Sequence, residues 1–467
     1  MIKAGFGTDG WRGVIADDFT VENLRIVVQA IMSYIKGHGK PGRLVIGHDT
    51  RFMSEYYARV AASVASGNGI DVSISEGAVT TPILSHAARA AGGCGGIMVT
   101  ASHNPFYYNG IKYKGGYGGS AFPSIIKNIE SHLGLDEVMS EPFDRAVGDG
   151  RAVLSDFFGP YAKDVCRVID AGKALQGSPR VVVDCMHGSA GAHAASLFAG
   201  LGLDISVIRA DRDPYFGGTN PEPTQKNMEP LRKAVIDGGY DIGFAVDGDA
   251  DRLGVVDGKG RLVTAHRVLS LLVMHMRKNR KKTGAVVKTV STSSIVDRVA
   301  ARLGLPVIET PVGFKHICEL MLAQDVMIGG EENGGVGIKG FIPERDGLMT
   351  ALLVLEMLGC EGKGIGELSE SLDTEYGRLY YKREDIPVKR GGTDVFREIK
   401  DGVERRFGEF GILQVKEQDG VKAVFSDGSW ILFRLSGTEP LVRVYSESGD
   451  PAVVDRLMKR AGEAILG

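Results

Sequence analysis

Cysteine is scarce in this 467-residue chain: Cys94, Cys166, Cys185, Cys318 and Cys360, with no two spaced C-x-x-C. An odd number, widely spread in apolar or helical-looking surroundings, speaks against a disulfide framework and predicts reduced, buried thiols in a cytoplasmic protein. Long apolar runs are missing too. The longest uncharged stretch, 185–203, carries His187, His193 and several Gly and Ser, and reads as a strand end, a loop and a small-residue helix rather than a membrane span. Residues 1–9 hold no apolar segment of signal-peptide length, so no export signal is expected. Nor is there a bias of charge. Fifty-five Lys and Arg against 58 Asp and Glu give a net charge of −3, which favours neither nucleic acid nor an anionic membrane as partner.

What remains is a soluble globular composition, 43% hydrophobic and 24% charged. At roughly 100–200 residues per domain the length predicts three or four domains. Glycine is in excess, 65 residues or about 14%, roughly twice the usual share. It has no G-X-Y period and clusters in loops, where it serves tight turns or lets backbone approach a ligand.

Apolar β-branched runs alternate with helical patterns. Strands are predicted at 43–47 (RLVIG), 96–100 (GIMVT), 180–184 (RVVVD), 241–246 (DIGFAV), 253–257 and 285–288, with a helix over 56–66. Such alternation indicates βαβ units in mostly parallel sheets, with ligands at the C-terminal strand ends. The combination recurs about three times, so the fold class is α/β, with related mixed-sheet domains in series. Short alternating runs at 411–415, 421–425, 430–435 and 442–446 predict a smaller, antiparallel α+β domain at the end. Linkers near residues 150, 258 and 372 divide the chain into 1–151, 152–257, 258–371 and 372–467.

Four loops can carry chemistry. Asp247-Gly-Asp249-Ala-Asp251-Arg252 lies between two strands, and carboxylates at i, i+2 and i+4 of a turn can converge on one hard cation. It is not an EF-hand, whose sixth position should be Gly and is Arg252. Oxygen donors without nearby His or Cys favour Mg²⁺, although an acidic solvated turn has the same sequence. Ser102, within TASHNP after the GIMVT strand, can be a nucleophile or phosphate carrier, or a turn residue. Adjacent His103 does not by itself make a dyad, and Lys112 of NGIK returns towards the same strand end. Gly329 to Gly335 (GGEENGG) sets paired acids between glycines, suited to sugar hydroxyls or equally to a mobile acidic loop. Arg434 to Pro440 (RLSGTEP) offers a guanidinium fork, hydroxyls and free N–H groups to a phosphate. Two G-x-G-x-x-G matches, starting at Gly5 and Gly335, lack the preceding strand that a dinucleotide site needs.

The ordered set FGTDGWRG (6–13), TASHNP with NGIK, DGDADR, GEENGG and RLSGTEP resembles the α-D-phosphohexomutase superfamily, the phosphoglucomutase/phosphomannomutase group, over nearly the whole chain. GGTNPEP (217–223) and TPVGFKH (310–316) look like its second- and third-domain loops. The resemblance implies four domains around a central cleft. It implies Ser102 as phosphoserine and Asp247, Asp249 and Asp251 as Mg²⁺ ligands, with Ser102 reaching the metal through its phosphoryl oxygen. Arg12, His103 and Lys112 would support transfer and proton movement. Arg252, Glu331 and Asn333 would contact substrate, with Lys288, Lys315 and His316 on the cleft wall. Arg434, Ser436, Gly437 and Thr438 would grip the phosphate that is not being transferred.

The implied activity interconverts hexose 1-phosphate and hexose 6-phosphate through a hexose 1,6-bisphosphate, in a monomer or homodimer. Family members commonly have Ser where Asn333 stands, and the Glu331-Glu332 pair looks closer to the glucose type than to the mannose or glucosamine types. Glucose is therefore the expected sugar, mannose and glucosamine the alternatives. A phosphosugar hydrolase and a non-catalytic sugar-phosphate sensor are the rival classes.

Overall fold

In the computed structural model the described residues are 10–38, 42–388, 392–436 and 441–466. They build four sheets. The first has seven strands, ordered Trp11–Val14, Tyr108–Gly115, Gly96–Val99, Leu44–His48, Val72–Ser75 and Ala152–Ser155, with Gly119–Ser120 paired to Tyr108–Gly115. The second runs Leu262–Val263, Leu253–Asp257, Ile242–Val246, Val181–Asp184, Ile205–Ile208. The third runs Val336–Ile338, Val326–Gly330, Ala285–Thr289, Val307–Thr310.

One arrangement is repeated three times. In each sheet the chain lays down a first strand, adds a parallel neighbour on one side, and returns through a helix to add a parallel strand on the other. It then turns back into an antiparallel partner of that last strand. The parallel strands are apolar because helices shield them; Leu44–His48, Val181–Asp184, Ile242–Val246 and Ala285–Thr289 are buried at every position. The turn between the last parallel strand and its antiparallel partner opens at a C-terminal strand end. It holds Ser102 in the first sheet, Asp247 to Asp251 in the second and Glu331 to Asn333 in the third.

The helix Gly347–Glu361 is apolar on all sides, as a helix buried all round must be. Leu348, Leu352, Leu353 and Met357 share one hydrophobic core with Val181, Phe244, Val246, Val286 and Ile328 and with Leu84 and Met98 of the first domain, which fuses the first three domains. The first domain joins the third through a fully buried ion pair, Lys114 Nζ to Glu344 Oε2 at 2.7 Å. The final sheet is wholly antiparallel, Tyr380–Pro387, Leu441–Ser448, Trp430–Leu435, Val421–Phe425, Ile412–Lys416, packed on helices Gly392–Phe407 and Pro451–Leu466.

Two expected linkers are regular structure. Residues 257–260 form the turn of an antiparallel hairpin inside the second sheet, with Gly260 at φ +74° and its N–H donating to Asp257 O at 2.8 Å. Residue 372 lies within the helix Ile365–Tyr376. Ala152–Ser155, beyond the expected first boundary, closes the edge of the first sheet. All five cysteines are free thiols. Among the described residues no helix is long and apolar enough to cross a membrane.

Candidate active site

Ser102 is fully buried and left-handed, φ 53°. Its N–H donates to Thr100 Oγ1 at 2.9 Å, and its Oγ lies 2.9 Å from Asp247 Oδ2, with His103 Nδ1 at 3.4 Å. The carboxylate met here comes from the second sheet, 145 residues away in sequence. The Asp247 loop is closed by its own first residue, whose Oδ1 accepts from the backbone N–H of Asp251 (2.9 Å) and Arg252 (3.0 Å). That leaves Oδ2 to face the serine.

Asp249 and Asp251 each use one oxygen. Asp249 Oδ2 accepts from Lys112 Nζ (2.7 Å) and from the Thr81 hydroxyl, and Asp251 Oδ2 from Lys112 Nζ (3.1 Å) and Arg345 Nη2 (2.7 Å). The second oxygens, Asp249 Oδ1 and Asp251 Oδ1, are buried with no hydrogen-bond partner. One oxygen from each of the three aspartates lies within 4.8 Å of the others. Burial of bare carboxylate oxygens is costly unless a cation takes them up. Three all-oxygen donors with two such atoms fit a hard divalent cation such as Mg²⁺.

The charges interact as close packing demands. Burial pushes the Asp247 carboxyl well up, helped by Asp251 and Asp249 beside it. Burial works the same way on Asp249, but the Lys112 ammonium and the hydroxyls of Thr81 and Ser102 outweigh it and hold that group low. His103 is driven well below its usual range by burial and by Arg252, Arg12, Lys112 and Arg345.

Sheet register explains two of the cations. Arg12 stands opposite Gly110 in the antiparallel pair of Trp11–Val14 with Tyr108–Gly115, so Arg12, Lys112 and Lys114 share one face. Arg12 Nη1 donates to Asn104 Oδ1 of the serine loop. Arg252 Nη1 pairs with Glu222 Oε1 at 2.6 Å, while its Nε lies 3.9 Å from both Asp247 and Asp251.

In the third sheet's loop, Glu331 accepts from Arg345 Nη1 at 2.7 Å and from the Gly313 N–H at 3.1 Å. Arg345 thus bridges the acidic triplet and Glu331. Asn333 Oδ1 accepts from the Gly335 N–H at 3.0 Å and closes the glycine turn. Lys315 and His316 occupy the first turn of Phe314–Ala323, half-buried. Lys288 is buried and turned to Asp297 Oδ2 at 2.5 Å and to the Thr292 carbonyl at 3.3 Å. Arg434 grips Asp419 Oδ2 through Nε (3.0 Å) and Nη2 (2.9 Å). The same Asp419 oxygen accepts from the Val312 N–H at 2.7 Å, so the final domain is fastened one residue from the Gly313 that holds Glu331. Ser436 donates its N–H to Leu441 O. Gly437 and Thr438, like residues 6–9 of the N-terminal motif, lie outside the described residues.

Sequence reading missed Thr81 and Arg345. Thr81 opens a helix of the first domain and Arg345 precedes the buried helix Gly347–Glu361, so neither sits in a glycine-rich loop. Only the fold carries them to the triplet.

Four adjoining stretches of the chain match domain families described as phosphoglucomutase/phosphomannomutase. They are alpha/beta/alpha domain I over residues 3–137, domain II over 160–260, domain III over 264–376 and the C-terminal domain over 390–464. A phosphoglucomutase/phosphomannomutase of Thermococcus kodakarensis is 32% identical over 447 residues, 95% of this chain and 94% of that protein. A phosphoglucosamine mutase of Frankia casuarinae is 31% identical, covering 98% of this chain and 97% of its own. The crystal structure of a Thermus thermophilus protein described as a candidate phosphomannomutase superposes with a TM-score of 0.87 at 33% identity, covering 99% of both chains. Kinship along the full length and the four domains in order agree with the geometry: the chain belongs to the phosphoglucomutase/phosphomannomutase family of phosphohexomutases.

Proposed function

We propose that the protein interconverts glucose 1-phosphate and glucose 6-phosphate, with Ser102 as the phosphoryl carrier and glucose 1,6-bisphosphate as intermediate and activator. The observation that carries this reading is the meeting of Ser102 Oγ with Asp247 Oδ2 at 2.9 Å, beside two aspartates that share the Lys112 ammonium. A non-catalytic sensor has no use for a serine so presented, and a hydrolase would pass the phosphoryl group of the same serine to water.

The residues divide the work. Phospho-Ser102 gives its phosphoryl group to the free hydroxyl of the hexose phosphate; the Oγ–P bond breaks as the sugar O–P bond forms, and the serine oxygen is protonated as the sugar hydroxyl loses its proton. His103, with Nδ1 3.4 Å from Oγ, and Lys112, seated on Asp249 and Asp251, are the groups assigned to move that proton. Reorientation of the bisphosphate then presents its other phosphate to Ser102. Asp247, Asp249 and Asp251 would hold Mg²⁺, which when bound would supply charge neutralisation at the phosphoryl oxygens, the dominant need in phosphoryl transfer. Glu331 accepts hydrogen bonds from vicinal sugar hydroxyls, and Arg434 with Ser436, Gly437 and Thr438 holds the non-reacting phosphate. Fastening of the last domain through Asp419 keeps this clamp over the sugar and water away from the phosphoserine. The preference for glucose rests on the Glu331-Glu332 pair of the sugar loop.

Glucose, mannose and glucosamine 1-phosphates assayed side by side with Mg²⁺ test it. The highest kcat/KM is expected for glucose 1-phosphate, with isomer formed far faster than inorganic phosphate. Ser102→Ala is expected to abolish turnover in a folded protein, and turnover at the wild-type rate would refute the carrier role.

A further inference from the structure

Arg51 is fully buried just past the strand Leu44–His48, with 0% of its surface exposed. Its Nη2 donates to the carbonyls of Ser102 (2.7 Å) and Asn104 (2.6 Å), its Nη1 to those of Pro105 (2.8 Å) and Tyr108 (3.0 Å). Four carbonyls of the serine loop converge on one guanidinium. Behind it, Asp49 Oδ2 lies 3.2 Å from Nε, and Asp49 is itself fixed by the hydroxyls of Ser54 (2.7 Å) and Thr100 (2.6 Å) and by the Arg51 N–H (3.0 Å). The Phe216 ring of the second domain covers the guanidinium, 4.8 Å from its centre.

A purely structural arginine needs no such target. The loop it holds contains the one residue whose oxygen must be aimed, and Ser102 is left-handed, a conformation that a residue with a side chain keeps only where its surroundings over-determine it. Ser102 O is held by Arg51, and Gly248 of the aspartate loop approaches it so closely that a Cβ there would stand 2.5 Å away. Both elements that the reaction must align therefore meet at one carbonyl oxygen. A planar fork with donors fixed in one plane can hold four acceptors at once, which an ammonium cannot.

The geometry points to Arg51 as the positioning residue of Ser102: it holds the serine loop in its strained conformation so that Oγ faces the aspartate triplet. The inference rests on Ser102 being the phosphoryl carrier. Arg51 bonds to the serine loop and to Asp49 and to none of the three aspartates, so its loss disturbs alignment rather than metal or sugar binding. Misplacement of a reacting atom by about 1 Å costs about 100-fold in rate.

Two full-length variants test this. Arg51→Lys keeps a charge beside Asp49 but loses the fork; Asp49→Asn leaves Arg51 in place and removes the anion that anchors it. Each is compared with wild type by circular dichroism and urea midpoint, by kcat and KM, and by Mg²⁺ affinity in calorimetry. The ³¹P resonance of phospho-Ser102 is recorded after loading with glucose 1,6-bisphosphate. The expected result is a kcat lowered about 100-fold in Arg51→Lys and about tenfold in Asp49→Asn. KM and Mg²⁺ affinity should stay within about twofold, and the ³¹P resonance should be displaced. A folded Arg51→Lys with near wild-type kcat overturns the inference, as does a loss of KM or Mg²⁺ affinity as large as the loss of kcat. Should Arg51→Lys fail to fold, Asp49→Asn decides, and wild-type kcat there overturns it. Should wild type give no isomer at all, the mutase reading falls instead, and an unmoved ³¹P resonance in the variants then overturns the role of Arg51 independently.

Discussion

The Cα of Gly248 faces the carbonyl oxygen of Ser102 so closely that a Cβ on Gly248 would stand 2.5 Å from it. The glycine between Asp247 and Asp249 thus leaves room for the backbone of Ser102. Its other neighbours are fixed as well, since Gly248 N donates to Pro221 O at 3.0 Å and Gly248 O accepts from Ser189 N at 3.0 Å. Gly248→Ala must separate the serine loop from the aspartate loop. The expected outcome is a kcat lowered about 100-fold and stability lowered by about 1–3 kcal/mol, read by steady-state kinetics and urea unfolding. Unchanged kcat would show that the two loops are not held in register.

Arg345 shares its fork between Asp251 Oδ2 and Glu331 Oε2, both at 2.7 Å and all three side chains buried. Arg345→Lys offers one ammonium where two carboxylates are spaced for a fork. Loss of a hydrogen bond to a charged group costs about 1.5–3 kcal/mol, roughly ten- to a hundredfold in binding. Sugar-phosphate KM and the Mg²⁺ concentration for half-maximal rate are therefore both expected to rise in the variant. A change in only one of them would show that the arginine serves one site and not the junction.

How much of this was legible in the sequence divides along chain distance. Ser102, Asp247, Asp249 and Asp251 lie in short contiguous motifs, and the structure brings the two loops together. The repeated strand–helix order was legible because apolar strands buried on both faces stand out as continuous runs. Ile205–Ile208 and Val307–Thr310 were not, because they are half-buried, four-residue edge strands with little periodicity. Arg345 and Thr81 act on partners 94 and 168 residues away, which no local pattern records. The glycines at 258 and 260 misled because a hairpin turn and a linker use the same residues. Lys288, expected on the cleft wall, is held by Asp297 nine residues on, at the face of the third domain nearest the last one.

Asp346 caps the buried helix Gly347–Glu361, its Oδ1 accepting from Met349 N (3.0 Å) and its Oδ2 from the Tyr161 hydroxyl (2.7 Å). Burial raises this carboxyl to about 6, against the lowering effect of those hydrogen bonds. A raised acid stabilises the fold most when protonated. Its contribution is complete below the unfolded value near 4, is lost as pH rises to about 6, and is level above that. Asp346→Asn, which cannot ionise, is expected to gain on wild type across this window by about 3 kcal/mol. Urea unfolding of both proteins between pH 4 and 7 checks it; parallel curves would mean that Asp346 ionises as freely in the fold as outside it.

The last domain is joined to the third by Glu447, whose Oε1 accepts from the Ser294 N–H (2.8 Å) and from Trp430 Nε1 (3.0 Å). Ser294 is the residue before the helix Ile295–Arg302, where a carboxylate also meets the positive end of the helix dipole. Trp430 and Glu447 are direct cross-strand partners, and Trp430, Leu432 and Arg434 alternate onto one face of the same strand. The contact that docks the domain therefore also sets the height of Arg434. Glu447→Ala leaves the Ser294 N–H without its acceptor, at about 1–3 kcal/mol, and Trp430 Nε1 with the Ser294 hydroxyl alone at 3.1 Å. Hydrogen exchange is expected to quicken in Trp430–Leu435 and Leu441–Ser448 and to stay unchanged in Leu44–His48, while sugar-phosphate KM rises about tenfold or more and Ser102 is still phosphorylated by glucose 1,6-bisphosphate. Faster exchange without a rise in KM would separate docking of the domain from the grip of Arg434; slower phosphorylation of Ser102 would place the effect at the aspartate triplet instead.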